Sequence, residues 1–209
     1  MTSRTEHIKL SQERGLTSTL LLDLHPLQIA HRIVAHRGKD LIFTYSRYTV
    51  AEPGRQAEAP RSPVLRVSAT ELTQLWLRKR LAELGPTEEM AIHSWVECNG
   101  VGFHIPMVDF VSRPGHIVLR ELDCVLAAET RLDDHFVLFD SGRSLHGYFP
   151  DLIPEHIWPK YLGRLLVLNE HDRPPVIDSR WVGHALVRGF AALRWSCNTS
   201  RYLSIPRIA

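Results

Sequence analysis

The sequence has few cysteines and no long apolar run, and these absences exclude several classes of protein. Its three cysteines, Cys98, Cys124 and Cys197, lie far apart and form no CxxC pair. An odd and dispersed set predicts neither a disulfide framework nor a zinc ribbon. No stretch of about 18 uncharged apolar residues occurs, so we expect no transmembrane helix. Charged residues throughout the first thirty positions are atypical of a secretory signal. We interpret the chain as a cytoplasmic protein with reduced thiols.

Lysine is also scarce, since only four of the 25 basic residues are lysine and the others are arginine. Residues 141–209 hold nine basic side chains against five acidic ones. The planar guanidinium matches a phosphate with two parallel hydrogen bonds, which an ammonium group cannot do. The C-terminal third therefore suits a phosphate-bearing partner. A GC-rich genome also favours arginine over lysine, so the charge alone does not decide between the two explanations.

What the chain does contain is the composition of a soluble globular protein. Of its 209 residues 44% are hydrophobic and 23% charged, which is enough to bury a sizeable core. This length favours a single domain, 1–209. We expect N-terminal strands and a proline-rich exposed loop within residues 1–63 and the core within residues 64–209. In the first half, the pattern predicts strands at 16–24 and 41–50, a loop at 51–63 and a helix at 70–84.

The second half alternates apolar strands with two kinds of connection, tight turns and amphipathic helices. Strands are predicted at 90–96, 101–111, 135–139, 145–149 and 174–178, and helices at 116–132, 158–167 and 179–193. The turn Asn99-Gly100 joins the first two strands of this half into a hairpin. In the last helix we expect the buried residues to be Val182, Leu186, Phe190 and Leu193. Because strands outnumber helices and do not alternate strictly with them, the fold class is α+β, with a mixed or antiparallel sheet and flanking helices.

Three polar features lie at strand ends or turns, where chemistry is usually placed. Asp109 interrupts the apolar run IPMVDF, and a carboxylate there needs a partner, a metal ion or solvent. The segment Ser141-Gly-Arg-Ser-Leu-His146 follows a strand, and its backbone N–H groups, Arg143 and His146 could bind an anion, although an ordinary hairpin turn has the same composition. Asp178 ends another apolar strand, where either it or Ser179 could cap the next helix.

Positive charge continues beyond Asp178. Arg180, His184 and Arg188 are spaced at i, i+4 and i+8, so they share one face of the predicted helix. Such a stripe is either a solvated helix face or the border of a phosphate site. The following turn, residues 193–202, combines two arginines with three serine or threonine hydroxyl groups and an amide.

Taken in order, these features resemble the archaeo-eukaryotic primase superfamily. That family has a carboxylate motif, a Ser/Gly-rich turn ending in histidine, and a third carboxylate in the same order along the chain. The segment LRxxxNxxR at 193–201 is similar to the family's downstream nucleotide-contacting stretch. The resemblance covers residues 90–209 and implies a primase catalytic core with a palm of the RNA-recognition-motif type.

Carried over residue by residue, the resemblance implies roles for the motif positions. Asp109, His146 and Asp178 become the catalytic residues, with Asp109 and Asp178 holding Mg²⁺ or Mn²⁺. Apart from the resemblance, the stripe of Arg180, His184 and Arg188 is expected to contact nucleic acid, because it follows directly on Asp178. The nucleotide pocket is formed by Ser141, Arg143, Ser144, His146, Arg194, Asn198 and Arg201. Carboxylate oxygens are the ligands that hard divalent ions prefer, which agrees with this assignment.

The chain departs from the family at one position. The first motif normally has two carboxylates in the pattern Asp-x-Asp or Asp-x-Glu, whereas here it is Asp109-Phe110-Val111. Strand alternation places Val111 on the side of Asp109, where it cannot bind a metal. The chain is therefore similar to a single-aspartate, primase 1D-like branch of the superfamily.

Several functions follow as expectations. The first is a primase-polymerase-like nucleotidyltransferase acting on nucleotides and a single-stranded nucleic-acid template, working weakly or with a protein partner because of Val111. The alternative is an inactive primase-fold module that binds nucleotide or nucleic acid. A third interpretation is a metal phosphoesterase that uses Asp109, His146, Asp178 and one of His93 or His104, and a fourth is a purely structural domain. No membrane partner is expected.

Overall fold

The structure is a computed structural model, and it describes residues 24–50, 64–127 and 136–209. These residues form an α+β fold, as the sequence predicts. The helices are α1 (Leu27–Arg37), α2 (Gln74–Ala82), α3 (His116–Ala127), α4 (Trp158–Val167) and α5 (Ser179–Arg188). The strands are β1 (Leu41–Thr49), β2 (Val64–Ser68), β3 (Glu88–Cys98), β4 (Val101–His104), β5 (Met107–Phe110), β6 (Val137–Asp140), β7 (Leu145–Tyr148), β8 (Ile153–Pro154), β9 (Ala192–Arg194) and β10 (Arg207–Ile208). None of these helices is long and apolar enough to cross a membrane.

The larger sheet is built on the long strand β3. Its order is β2-β1-β3-β4-β8, and β9 pairs with β3 beside β4. All of these pairs are antiparallel. The predicted turn joins β3 to β4, and both of its residues have positive φ, 49° at Asn99 and 79° at Gly100. Those angles match the tight hairpin turn that Asn-Gly favours.

The smaller sheet carries the candidate site. Its order is β10-β6-β7-β5, again with antiparallel pairs. Beyond β5 the sheet is extended by a short segment, residues 176–178. Ile177 forms a bridge with Phe110. The Asp178 N–H donates to the Asp109 carbonyl (2.9 Å), and the Val111 N–H donates to the Val176 carbonyl (2.9 Å). This segment therefore acts as a fifth, very short strand at the edge.

Helices α4 and α5 pack their apolar faces against a core that both sheets share. The Tyr161 hydroxyl donates to the Met107 carbonyl of β5 (3.0 Å), and the Trp181 indole N–H donates to the Ala192 carbonyl of β9 (3.0 Å). The Trp158 ring stacks on His104 of β4 with a centroid separation of 4.4 Å. The helices thus connect the larger sheet to the smaller one.

The structure corrects several boundaries. The predicted strand 101–111 divides into β4 and β5, which belong to different sheets, because Ile105 and Pro106 interrupt it. Helix α2 begins only at Gln74, since the Thr73 side chain caps it by accepting from the Trp76 N–H. The segment predicted as a strand at 174–178 forms one bridge. The predicted strand at 16–24, except its last residue, and the predicted loop at 51–63 lie outside the described residues.

The prediction for the buried face of α5 is right at Val182 and wrong for the rest of the face, although Leu193 is buried in β9. The helix ends at Arg188, so Phe190 and Leu193 are not on it, and Leu186 is 46% exposed. Trp181 and Ala185 are buried together with Val182. The sequence prediction extended the helix through Gly189, whose φ of 77° instead forms a left-handed C-cap.

Candidate functional site

Three predicted residues lie in one row across the smaller sheet. The register pairs Asp109 of β5 with His146 of β7. The bridge between Phe110 and Ile177 places Asp178 opposite Asp109 on its other side. Directly opposed residues of antiparallel strands have Cβ atoms about 5 Å apart and point to the same face. The order across the sheet is therefore Asp178, Asp109, His146, although these residues are far apart in sequence.

Within this row His146 is buried, whereas Asp109 is partly exposed to solvent. The His146 imidazole Nε2 lies 3.9 Å from Asp109 Oδ1, and the two side chains are 7% and 25% exposed. That distance is within ion-pair range but longer than a hydrogen bond. Asp109 is accessible from solvent at this exposure.

Asp178 also caps helix α5. Its Oδ1 accepts hydrogen bonds from the Arg180 N–H (2.9 Å) and the Trp181 N–H (3.0 Å). Of the two capping residues left open by the sequence, Asp178 and Ser179, the structure selects Asp178. The helix N-terminus stabilises a negative charge there. Capping occupies Oδ1 of Asp178.

The turn between β6 and β7 is closed by its own hydrogen bonds. The Ser141 N–H and hydroxyl both donate to the Ser144 carbonyl, at 3.0 and 2.9 Å. The Gly142 N–H donates to Asp140 Oδ1 (2.7 Å). The sequence left open whether these N–H groups bind an anion or belong to an ordinary hairpin turn, and those of Ser141 and Gly142 are used within the turn. Arg143, at the tip, is exposed to solvent.

Glycine is required at position 142. Its φ is 99°, and a Cβ there would lie 3.0 Å from Leu203 Cβ and 3.1 Å from the Ser204 backbone nitrogen. The turn thus packs closely against residues 203–204, which directly follow the segment 193–202.

Arg194 joins these two segments from inside the protein. It is 5% exposed, and its guanidinium donates to the carbonyls of Ser141 (2.6 Å), Ser204 (3.1 Å) and Ser196. Its guanidinium carbon also lies 4.0 Å from the centre of the Tyr202 ring. These bonds occupy the groups that the resemblance assigns to a nucleotide. In the structure Arg194 joins the end of β6 to the C-terminal segment through these carbonyls.

A carboxylate that the sequence analysis missed holds the same C-terminal segment. Glu89 is fully buried, and its oxygens accept from the Ser196 hydroxyl, the Asn198 N–H (3.0 Å), and the N–H (2.7 Å) and hydroxyl (2.8 Å) of Thr199. The Asn198 amide donates to the carbonyls of Gly85 (2.7 Å) and Glu88 (3.1 Å). A Glu-Glu pair opening a strand carries no signal that one carboxylate is buried, so sequence alone does not reveal this role.

The remaining predicted contacts are distributed around the site. Arg201 and Arg180 are exposed, whereas His184 and Arg188 are half-buried. Since α5 is helical from 179 to 188, the predicted stripe of Arg180, His184 and Arg188 does share one helix face. It begins two residues after Asp178, so the stripe leads away from the carboxylate row.

The structure does not support the phosphoesterase interpretation. His93 is buried beside Ser46, with Nε2 2.9 Å from the hydroxyl, and stacks on Phe190. His104 is buried beside Ser94 and stacks on Trp158, and burial lowers its pKa to about 3. Both imidazoles are part of the core, so neither can complete a metal site with Asp109.

The two carboxylates suit one hard divalent ion. Within residues 24–50, 64–127 and 136–209, no group of three or more His, Cys, Asp or Glu side chains is arranged to hold a metal. Mg²⁺ is, however, commonly bound by one or two carboxylates and completes its shell with water and substrate phosphates. Asp109 and Asp178, opposed on neighbouring strands, provide such a pair.

A comparison with family models gives a match over most of this region. The model described as archaeo-eukaryotic primase 1D-like matches residues 68–207, about two thirds of the chain. The match includes Asp109, His146, Asp178 and the segment 193–201, and it begins earlier than the motifs on which the resemblance rests. No curated protein and no solved structure matches the chain.

Proposed function

Because the chain belongs to the archaeo-eukaryotic primase 1D-like family, we propose that it is a metal-dependent nucleotidyltransferase that extends a primer on a nucleic-acid template. The observation that carries this proposal is the row of Asp178, Asp109 and His146 across the smaller sheet. The fold is that of a primase-like core, and the row lies where two carboxylates and an imidazole can face one substrate.

In this proposal each residue has a separate task. Asp109 and Asp178 hold one Mg²⁺ or Mn²⁺, which neutralises phosphate charge and favours ionisation of the primer 3′-hydroxyl when bound. His146, at 3.9 Å from Asp109, contacts the phosphates of the incoming nucleotide. Nearby, the exposed guanidinium groups of Arg143 and Arg201 bind the same phosphates.

Other predicted contacts support the pocket. Ser141, Ser144 and Asn198 fix the backbone around the nucleotide, as their internal hydrogen bonds suggest. Arg180, His184 and Arg188 guide a single strand of nucleic acid along α5 toward the carboxylate row. The position of this stripe, directly after Asp178, supports that path.

The test is extension of a labelled primer on a single-stranded template, with NTPs or dNTPs and with Mg²⁺ or Mn²⁺ run separately. We expect metal-dependent extension that Asp109→Ala and His146→Ala each reduce by at least about a hundredfold. Matched controls are Asp172→Ala and His171→Ala, at exposed neighbouring positions between α4 and α5, which should retain parental activity. Absence of extension under every condition would reject the proposal.

One observation favours a second function. Val111, at the position of the family's second carboxylate, is 48% exposed and cannot bind a metal. An inactive module that binds nucleotide or nucleic acid would tolerate this residue. It predicts nucleotide binding without extension, and binding that survives Asp109→Ala but not Arg143→Ala.

A further inference from the structure

We infer that Asn169, which nothing in the family resemblance singles out, is the positioning residue that holds Asp178 beside Asp109. This inference rests on the proposed metal site. It starts from a weakness of the smaller sheet. The segment that ends in Asp178 forms a single bridge to β5 and two flanking backbone hydrogen bonds. An edge segment this short has too few ladder bonds to be stable on its own.

The side chain of Asn169 takes the place of a further strand. Its Oδ1 accepts from the N–H groups of Val176 and Ile177, both at 2.9 Å, and its Nδ2 donates to the Ile177 carbonyl at 2.9 Å. In an antiparallel pair the N–H and carbonyl of alternate residues point outward, away from the partner strand. Ile177 is such a residue, so the amide satisfies both outward groups, which would otherwise be unpaired at a sheet edge.

Asn169 can do this because it is attached to a helix that is itself fixed to β5. It lies two residues beyond the end of α4, and its own N–H donates to the Leu166 carbonyl (3.2 Å). Tyr161, on the same helix, donates to the Met107 carbonyl, two residues before Asp109. Helix α4 therefore fixes both strands of the carboxylate pair. Tyr161 holds β5, and Asn169 holds the segment of Asp178.

A short polar side chain is needed at this position. Glutamine would place the same amide one methylene farther away, and aspartate would set an oxygen against the Ile177 carbonyl in place of the donor. Alanine would remove all three bonds. The backbone of residues 176–178 would then rely on β5 alone.

The test combines a local measurement with metal binding. In Asn169→Ala and Asn169→Asp, we expect the amide hydrogens of Asp178 and Val111 to exchange at least about tenfold faster than in the parent protein. We also expect Mn²⁺, titrated alone and followed by its electron paramagnetic resonance signal, to bind about tenfold or more weakly. Glu170→Ala, at the next, exposed position, is the matched control and should change neither quantity. The aspartate variant keeps the test available if the alanine variant does not fold.

The outcomes separate this inference from the proposed function. Parental exchange at Asp178 and Val111 in both variants would overturn the inference, whatever the metal does. Faster exchange with unchanged Mn²⁺ affinity would also overturn it, because Asn169 would then be structural only. If the parent protein binds no Mn²⁺, the proposed metal site fails, and the exchange rates alone decide whether Asn169 holds the segment.

Discussion

At the scale of single residues, several histidines are buried in the core and are not available to a substrate. The His25 imidazole accepts the Leu27 N–H at Nδ1 (3.0 Å), so Nδ1 carries no proton, and its Nε2–H donates to the Trp195 carbonyl (2.8 Å). Both nitrogens are used by a neutral ring. Desolvation lowers the pKa of His25 from 6.5 to about 4. The folded protein therefore resists protonation of a residue that the unfolded chain protonates readily.

This predicts acid sensitivity with a defined origin. As pH falls from 6.5 toward 4, the unfolded state binds a proton at His25 and the folded state does not, so the stabilisation is lost across that interval. At pH 5 the loss is about 2 kcal/mol for this residue. The side chain of Asn cannot take up a proton. Between pH 7.5 and 5 the free energy of unfolding of His25→Asn should therefore fall by about 2 kcal/mol less than that of the parent protein. Urea unfolding of both proteins at pH 7.5 and at pH 5 measures these free energies.

The control is His171→Asn, at an exposed position, which should leave the parental pH dependence unchanged. An equal fall in the parent protein and in His25→Asn would show that His25 is not a source of the acid sensitivity.

Residue roles were the part of the site that sequence predicted least well. The family resemblance implied that Asp109, His146 and Asp178 share a site, and the register brings them into one row. Sequence could not show that Arg194 is buried. An arginine that binds three backbone carbonyls and an arginine that binds a phosphate are the same residue type in a sequence. Burial depends on residues such as Ser141 and Ser204, which are distant along the chain.

At the scale of elements, the start of α5 has two functions in one residue. Asp178 caps the helix, and in the proposed function it also binds a metal ion. Asparagine caps a helix about as well as aspartate, whereas alanine does not. We therefore expect Asp178→Asn to retain stability within a few tenths of a kcal/mol and Asp178→Ala to lose about 1 kcal/mol. Both variants should bind Mn²⁺ at least about tenfold more weakly, since each lacks the carboxylate.

Urea unfolding and Mn²⁺ titration on the same preparations separate the two functions. Asp172→Asn, an exposed aspartate in the preceding loop, serves as the control for loss of charge. Parental Mn²⁺ affinity in Asp178→Asn would mean that this carboxylate is a cap and nothing more.

Elements with strong local signals were predicted well. Helix α4 has the predicted bounds, and the Asn99-Gly100 hairpin is present as expected. The stretch 174–178 was predicted as a strand from its apolar residues, but it makes one bridge and is completed by the amide of Asn169. Local patterns cannot reveal a side chain that replaces a strand, since that bond depends on where α4 ends in space.

At the scale of the whole molecule, the predicted site residues are divided between two sheets. The carboxylate row belongs to the smaller sheet, while β9, which carries Arg194, belongs to the larger one. Through the Ser141 carbonyl, Arg194 ties the end of β6 to β9. The α+β class was predictable from the order of elements. The division into two sheets was not predicted, although Pro106, which has no backbone N–H, marks the break between β4 and β5.

Arg194 and Arg143 differ in burial, since Arg194 is buried and Arg143 is exposed. Lysine at position 194 has a single ammonium group and cannot bridge three carbonyls that diverge around a planar guanidinium. Arg194→Lys should therefore lower the free energy of unfolding by about 3 kcal/mol. Arg143→Ala, at the exposed tip of the turn, should change stability by less than about 0.5 kcal/mol. In the proposed function Arg143→Ala should instead weaken the binding of a nucleotide, which is measured with an NTP and Mn²⁺.

Urea unfolding and nucleotide titration of both variants decide the roles. If Arg194→Lys unfolds like the parent protein but binds nucleotide poorly, Arg194 is a direct contact and its buried bonds contribute little. The reverse result, lower stability with nucleotide binding retained at low denaturant and low temperature, means that Arg194 supports the site from within. Sequence resemblance then identifies the right positions but assigns one of them the wrong task. The distinction arises because the same guanidinium geometry fits backbone carbonyls and phosphate oxygens equally well.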